Sequence, residues 1–279
     1  MGKTIAALKD RHVFLGLIGE FAGVLLFQFL AGGLDVVENS ENYPDLTNKE
    51  TVAILALGNG LVFAVLVYLV RHTSGGHLNP AITVAVTISG HMHILRGIFY
   101  ILAQVLGGIA GALLSYAFKA GGSYCYDVEH DTFATGWQLF GWEAIMTFLL
   151  IMVVYSAVIA PGHGDIGPLV IGLTVTGCVW AGAPKSGAAL NPARVIAPTI
   201  ANMIDAQGTG RCHFGIFWYY IAAHAVAAVV AAVGALIVHG PGPHYTANKD
   251  VSRGRARGGI GQSLLESEGL QAGEDDMDT

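Results

Sequence analysis
Apolar residues lie along this chain in long unbroken runs, not in the alternating or three-and-four spacing of water-soluble elements. A helix needs roughly 20 consecutive apolar residues to cross a bilayer. Six stretches meet or approach that length: residues 13–34, 52–70, 94–118, 139–160, 167–180 with its flank, and 214–238. The fifth is the shortest. Because each run is continuously apolar, helices are favoured over barrel strands, which would alternate.

Two further apolar segments, 79–88 and 191–201, are too short to span. Both open with the same tripeptide, Asn79-Pro80-Ala81 and Asn191-Pro192-Ala193. Asn is a good N-cap and Pro is tolerated in the first turn, so each segment reads as a half-helix that starts at its Asn. Helices that stop inside the membrane persist only when buried in protein or lining a wet cavity. The plainer reading, in which each Asn-Pro caps a surface helix, does not account for the duplication inside apolar sequence.

The two halves also repeat. Glu20 precedes Asn79 by 59 residues, and Glu143 precedes Asn191 by 48. Each half reads as long helix, long helix, half-helix, long helix, and three spans per half impose opposite orientations. The expected fold is an all-α integral membrane protein, with six transmembrane helices plus two re-entrant half-helices in an inverted repeat. Broken helices at matching places in such repeats point to a binding or conduction site between the halves.

Composition agrees. Of 279 residues, 53% are hydrophobic and only 12% charged, half the charge of an ordinary soluble domain. A net charge of −6 argues against nucleic acid as a partner. The 38 glycines suit close helix packing in lipid. Lys3, Lys9, Arg11, Arg71 and Arg96 contrast with the acidic first loop, Asp35 to Glu50, so positive-inside bias puts both termini in the cytoplasm. The first apolar run is too long for a cleaved signal. The expected organisation is a cytoplasmic N-terminus at 1–12, a channel domain at 13–239 (repeats near 13–118 and 139–239) and a disordered cytoplasmic tail at 240–279.

No metal-ligand spacing, cofactor motif or nucleophile–base pair stands out, so no metal, no cofactor and no enzyme are expected. Cys125 and Cys212 fall on the same expected outer side and read as free thiols, with a disulfide between them as the alternative.

SGGHLNPAITVA (74–85) and SGAALNPARVIAP (186–198), with YILAQVLGGIAGA, EAIMTF and Phe217-Trp218, resemble the paired signatures of the aquaporin, or major intrinsic protein, family. The resemblance covers about residues 13–238. It implies a homotetramer in the lipid bilayer that passes water and small neutral solutes while excluding protons and ions. Two half-helices meeting tip to tip would raise a positive barrier at mid-membrane, and Asn79 and Asn191 would each aim an amide N–H at a passing oxygen. Arg194, costly at that depth, would line the cavity and repel cations; pairing with Glu20 or Glu143 is the alternative.

Counting from the NPA boxes, the family's constriction falls on Asn59, Val179, Ala188 and Arg194. Water-selective members usually carry an aromatic and a His at the first two places, so a wider opening is expected here. Val195 after the second NPAR and the Phe217-Trp218 pair are water-type, and water is therefore the first expected solute. A channel for glycerol, hydrogen peroxide or ammonia is the alternative. In relatives, glutamates like Glu20 and Glu143 accept bonds from the re-entrant loops, and Gln104 is expected to support them; a proton relay is the other reading. His77 is expected near the vestibule, as a structural hydrogen-bonding group or a pH gate, and His224 as a satisfied packing residue. A coupled secondary transporter and a non-conducting junction protein are the remaining classes. The plasma membrane is expected over an internal one.

Overall fold
The computed structural model describes residues 11–35, 48–118, 126, 136–159, 164–204 and 214–243. Within these, eight α-helices follow one another: α1 (Arg11–Asp35), α2 (Asn48–Val70), α3 (Pro80–Ile88), α4 (Ile94–Ala117), α5 (Gly136–Val154), α6 (Gly167–Ser186), α7 (Pro192–Ile204) and α8 (Phe214–Val238). Six are long and apolar enough to cross a membrane, so the chain is a multi-pass membrane protein. The two short helices, α3 and α7, are the half-helices expected from the NPA boxes.

The departures from expectation have local causes. α6 runs six residues past Trp180, because apolar counting stops at Pro184 and Lys185 whereas the helix stops at Gly187, whose left-handed φ of 78° caps it by donating to Ala183 O. α7 extends to Ile204 rather than 201 despite Pro198 inside it. α5 passes into a π-turn at Tyr155–Ile159, a widening that apolar content does not signal. The residues Cys125 and Cys212, and 244–279 of the tail, lie outside the described residues.

α1 packs on α4, α5 on α8 and α2 on α6, while each half-helix also packs on the last span of the opposite repeat (α3 on α8, α7 on α4). Small residues permit this. A side chain at Gly107 or Gly111 would run into the backbone carbonyls of Phe21 and Leu25 on α1, and Ala223, Ala227, Ala231 and Ala235 are all buried. Both stripes therefore serve packing within one chain, as close helix approach in lipid requires. Exposed Leu57, Leu61, Val65, Leu102, Leu106, Ile145 and Val233 leave an apolar outer face suited to lipid.

Candidate functional site
Each half-helix begins the same way. Asn79 and Asn191 accept, through Oδ1, the backbone N–H two residues on (Ala81, 2.8 Å; Ala193, 2.9 Å). Their side-chain amides then cross between repeats: Asn79 Nδ2 donates to Leu190 O at 2.9 Å and Asn191 Nδ2 to Leu78 O at 2.8 Å. The two tips therefore meet. A carboxamide carries two N–H donors, so one on each Asn is not used by these bonds.

The loops leading into the tips are built to match. Leu78 and Leu190, the residues before each Asn, adopt left-handed φ of 49° and 53°, and Gly75/Gly187 and Gly76/Ala188 are left-handed at matching places. Such a conformation costs a non-glycine residue about 1–2 kcal/mol. It is held because each leucine turns its N–H to a buried glutamate and its C=O to the opposite Asn. Glu20 accepts from His77 N (3.0 Å), Leu78 N (2.7 Å) and Gln104 Nε2 (2.7 Å). Glu143 accepts from Ser186 Oγ (2.6 Å), Ala189 N (3.0 Å), Leu190 N (2.9 Å) and His224 Nε2 (2.9 Å). Both carboxylates are fully buried. Bonds of this kind are what make a buried carboxylate tolerable.

Asn59, Val179, Ala188 and Arg194 line one cavity of about 90 Å³, space for a few waters. A second space of about 10 Å³, room for a single water, is bordered by Asn79, Asn191 and Arg194. Arg194 thus borders both spaces. Its guanidinium carbon lies 4.8 Å from the Phe27 ring centre and 5.5 Å from that of Tyr126, within cation–π range. Among the described residues neither Glu20 nor Glu143 pairs with it.

Tyr126 was not legible from the sequence. It lies between the repeats, outside any helix, where no count from an NPA box reaches, yet it lines the same cavity as Asn59, Val179, Ala188 and Arg194. An aromatic ring thus borders the cavity that Asn59 lines. Tyr126→Ala should raise the glycerol-to-water permeability ratio of reconstituted protein severalfold, since removing an aromatic ring leaves a cavity of that size; an unchanged ratio would separate Tyr126 from selectivity.

His77 is buried, and its Nδ1 lies 3.1 Å from Thr83 Oγ1. Burial, aided by the nearby positive charge of Arg96, pushes its imidazole down to about 4. The neutral form is therefore kept throughout physiological pH, and the stability it provides is lost only on acidification from about 6.5 towards 4. Water flux should be flat between about pH 5 and 8; a step near pH 6.5 that His77→Gln removes would make it a gate.

The family model described as Major intrinsic protein matches residues 8–237. Aquaporin TIP4-3 of Zea mays is 33% identical over 213 residues, spanning 75% of this chain and 82% of its own length. Aquaporin TIP1-2 of Musa acuminata is 30% identical over 188 residues, or 66% and 74%. Among solved structures, the aquaglyceroporin from Plasmodium falciparum superposes with a TM-score of 0.68 at 23% identity, covering 81% of this chain and 96% of that one. This last likeness concerns the fold.

Proposed function
The chain belongs to the major intrinsic protein family, and from that membership we propose how its residues act as a channel for water and small neutral solutes. The observation that carries the reading is the crossed pair of amide bonds, Asn79 to Leu190 and Asn191 to Leu78, beside a water-sized space that Arg194 borders. The remaining amide N–H of each Asn meets the oxygen of a passing water. A water accepting both turns its hydrogens towards opposite ends of the pore, so it cannot accept a proton and hand it on. The half-helix N-termini and the Arg194 guanidinium add positive potential that opposes cations.

Asn59, Val179, Ala188, Arg194 and Tyr126 form the constriction in this reading. Small, apolar Val179 and Ala188 favour a second solute class, glycerol or hydrogen peroxide, while the rings of Tyr126 and Phe27 narrow the passage. Both termini face the cytoplasm and four copies assemble; the first rests on the basic residues of the N-terminus, the second on family membership alone. The preference for the plasma membrane gains no support from relatives carrying TIP names.

Stopped-flow measurements on proteoliposomes test the reading. Water permeability should exceed that of empty vesicles about tenfold with no rise in proton leak, the pattern of a pore that selects by size, hydrogen bonding and charge. Vesicles no more permeable to water, glycerol or hydrogen peroxide than protein-free ones would refute it.

A further inference from the structure
Fold symmetry extends to the side chains that hold the two loops. Gln104 lies ten residues after the start of α4 and His224 ten after the start of α8. Four residues before each is a buried tyrosine, Tyr100 or Tyr220, whose hydroxyl donates to the backbone carbonyl of Ser74 or Ser186. Those two serines each stand five residues before an NPA asparagine. Gln104 donates to Glu20 and His224 Nε2 sits 2.9 Å from Glu143 Oε2. The imidazole thus occupies the amide's place.

The match is incomplete in one informative respect. Gln104 Nε2 also donates to the Thr83 hydroxyl at 2.9 Å, whereas the position corresponding to Thr83 in the second half, four residues after its Asn, is Val195. His224 is fully buried, and among the described residues its Nδ1 has no hydrogen-bond partner, just as Gln104 Oε1 has none. An unmet nitrogen costs free energy in an apolar interior. What the imidazole provides in return is the bond to Glu143.

We propose that His224 is a positioning residue for the second half of the pore. It completes the donor set of Glu143 and thereby fixes the Leu190 carbonyl that Asn79 grips and the Ala188 wall of the constriction. The chain of contacts is short. Glu143 Oε2 is shared by His224 Nε2 and Leu190 N, and Leu190 keeps its left-handed φ of 53° while offering its carbonyl to Asn79 Nδ2 at 2.9 Å. Losing the imidazole lets that carboxylate turn, and the error arrives at the asparagine pair rather than dissipating in lipid-facing helix. The inference rests on the channel reading.

The test uses the full chain in proteoliposomes, comparing wild type with His224→Gln and His224→Leu, and recording water permeability, its activation energy and proton leak. His224→Gln, which copies the first half, should stay within about twofold of wild type in water permeability, because it keeps a donor to the carboxylate. His224→Leu should lose about tenfold, the factor that one hydrogen bond to a charged group is worth, with a higher activation energy or a proton leak. Adding Val195→Thr to His224→Gln supplies the hydroxyl that Thr83 gives Gln104 and should not lower permeability further. A monodisperse His224→Leu channel with wild-type permeability, activation energy and proton exclusion would reduce His224 to packing and overturn the proposal. So would a His224→Gln variant as impaired as His224→Leu, and if His224→Leu does not assemble, loss of conduction in His224→Gln overturns it equally. A wild type that conducts nothing takes down the channel reading as well, which separates the two failures.

Discussion
Glu143→Leu should yield no monodisperse protein and no water flux above that of empty vesicles. Its two oxygens take up the Ser186 hydroxyl, the backbone N–H groups of Ala189 and Leu190, and His224 Nε2. Leucine fills the space but accepts none of them. A buried donor left without a partner costs about 1–3 kcal/mol, so four together amount to roughly 4–12 kcal/mol, a sum comparable with the entire stability of a typical domain. The left-handed Leu190 would also lose the bond that holds it. Glu143→Gln should fall between, because one amide oxygen still accepts while its NH₂ is turned against donors. Size-exclusion profiles and thermal unfolding in detergent read both changes directly. Wild-type stability for Glu143→Leu would mean that the loop is held by its packing and not by this carboxylate.

Asn191→Asp should lower water flux by about tenfold or more and open a proton or cation leak, since losing one amide–carbonyl hydrogen bond alone is worth up to about that factor. The substitution removes the Nδ2 donor and sets a carboxylate oxygen where an N–H now meets Leu78 O at 2.8 Å. Two oxygens at that distance repel, so the tips part. The new negative charge also lies at the N-terminal ends of α3 and α7, where it cancels the positive potential that opposes cations. A pH-sensitive dye inside the vesicles reports the leak and stopped-flow scattering reports the flux. Unaltered flux and selectivity in a well-folded Asn191→Asp protein would contradict the role given to the paired amides.

Much of this architecture was legible before any coordinates, for reasons that differ from residue to residue. α8 matches its apolar run at both ends, 214–238, because a span is bounded by composition alone. α3 begins where Asn79 and Pro80 said it would, because capping and proline geometry act within one helical turn. The quartet Asn59, Val179, Ala188 and Arg194 could be found by counting from the NPA boxes, since regular helices and short loops convert sequence distance into position. They do line one cavity. Counting failed where regularity fails. α6 overran its apolar stretch through Pro184 to a glycine cap, and the π-turn after α5 left no trace in the pattern.

The sequence by itself determined the short-range features: six spans, two capped half-helices, a duplicated loop, and a chain too poor in charge for water. Each of these is decided by residues within a turn or two of one another, or by the burial of a whole segment. Only the tertiary structure decided which distant groups meet. It brought Tyr126 to the guanidinium of Arg194, turned each Asn amide to the carbonyl of the opposite repeat, and made of His224, expected as a satisfied packing residue, a donor to Glu143, 81 residues away, with one nitrogen unmatched among the described residues. Such meetings depend on the crossing and depth of packed helices, and a single side chain in an apolar run carries no local mark of the partner it will find.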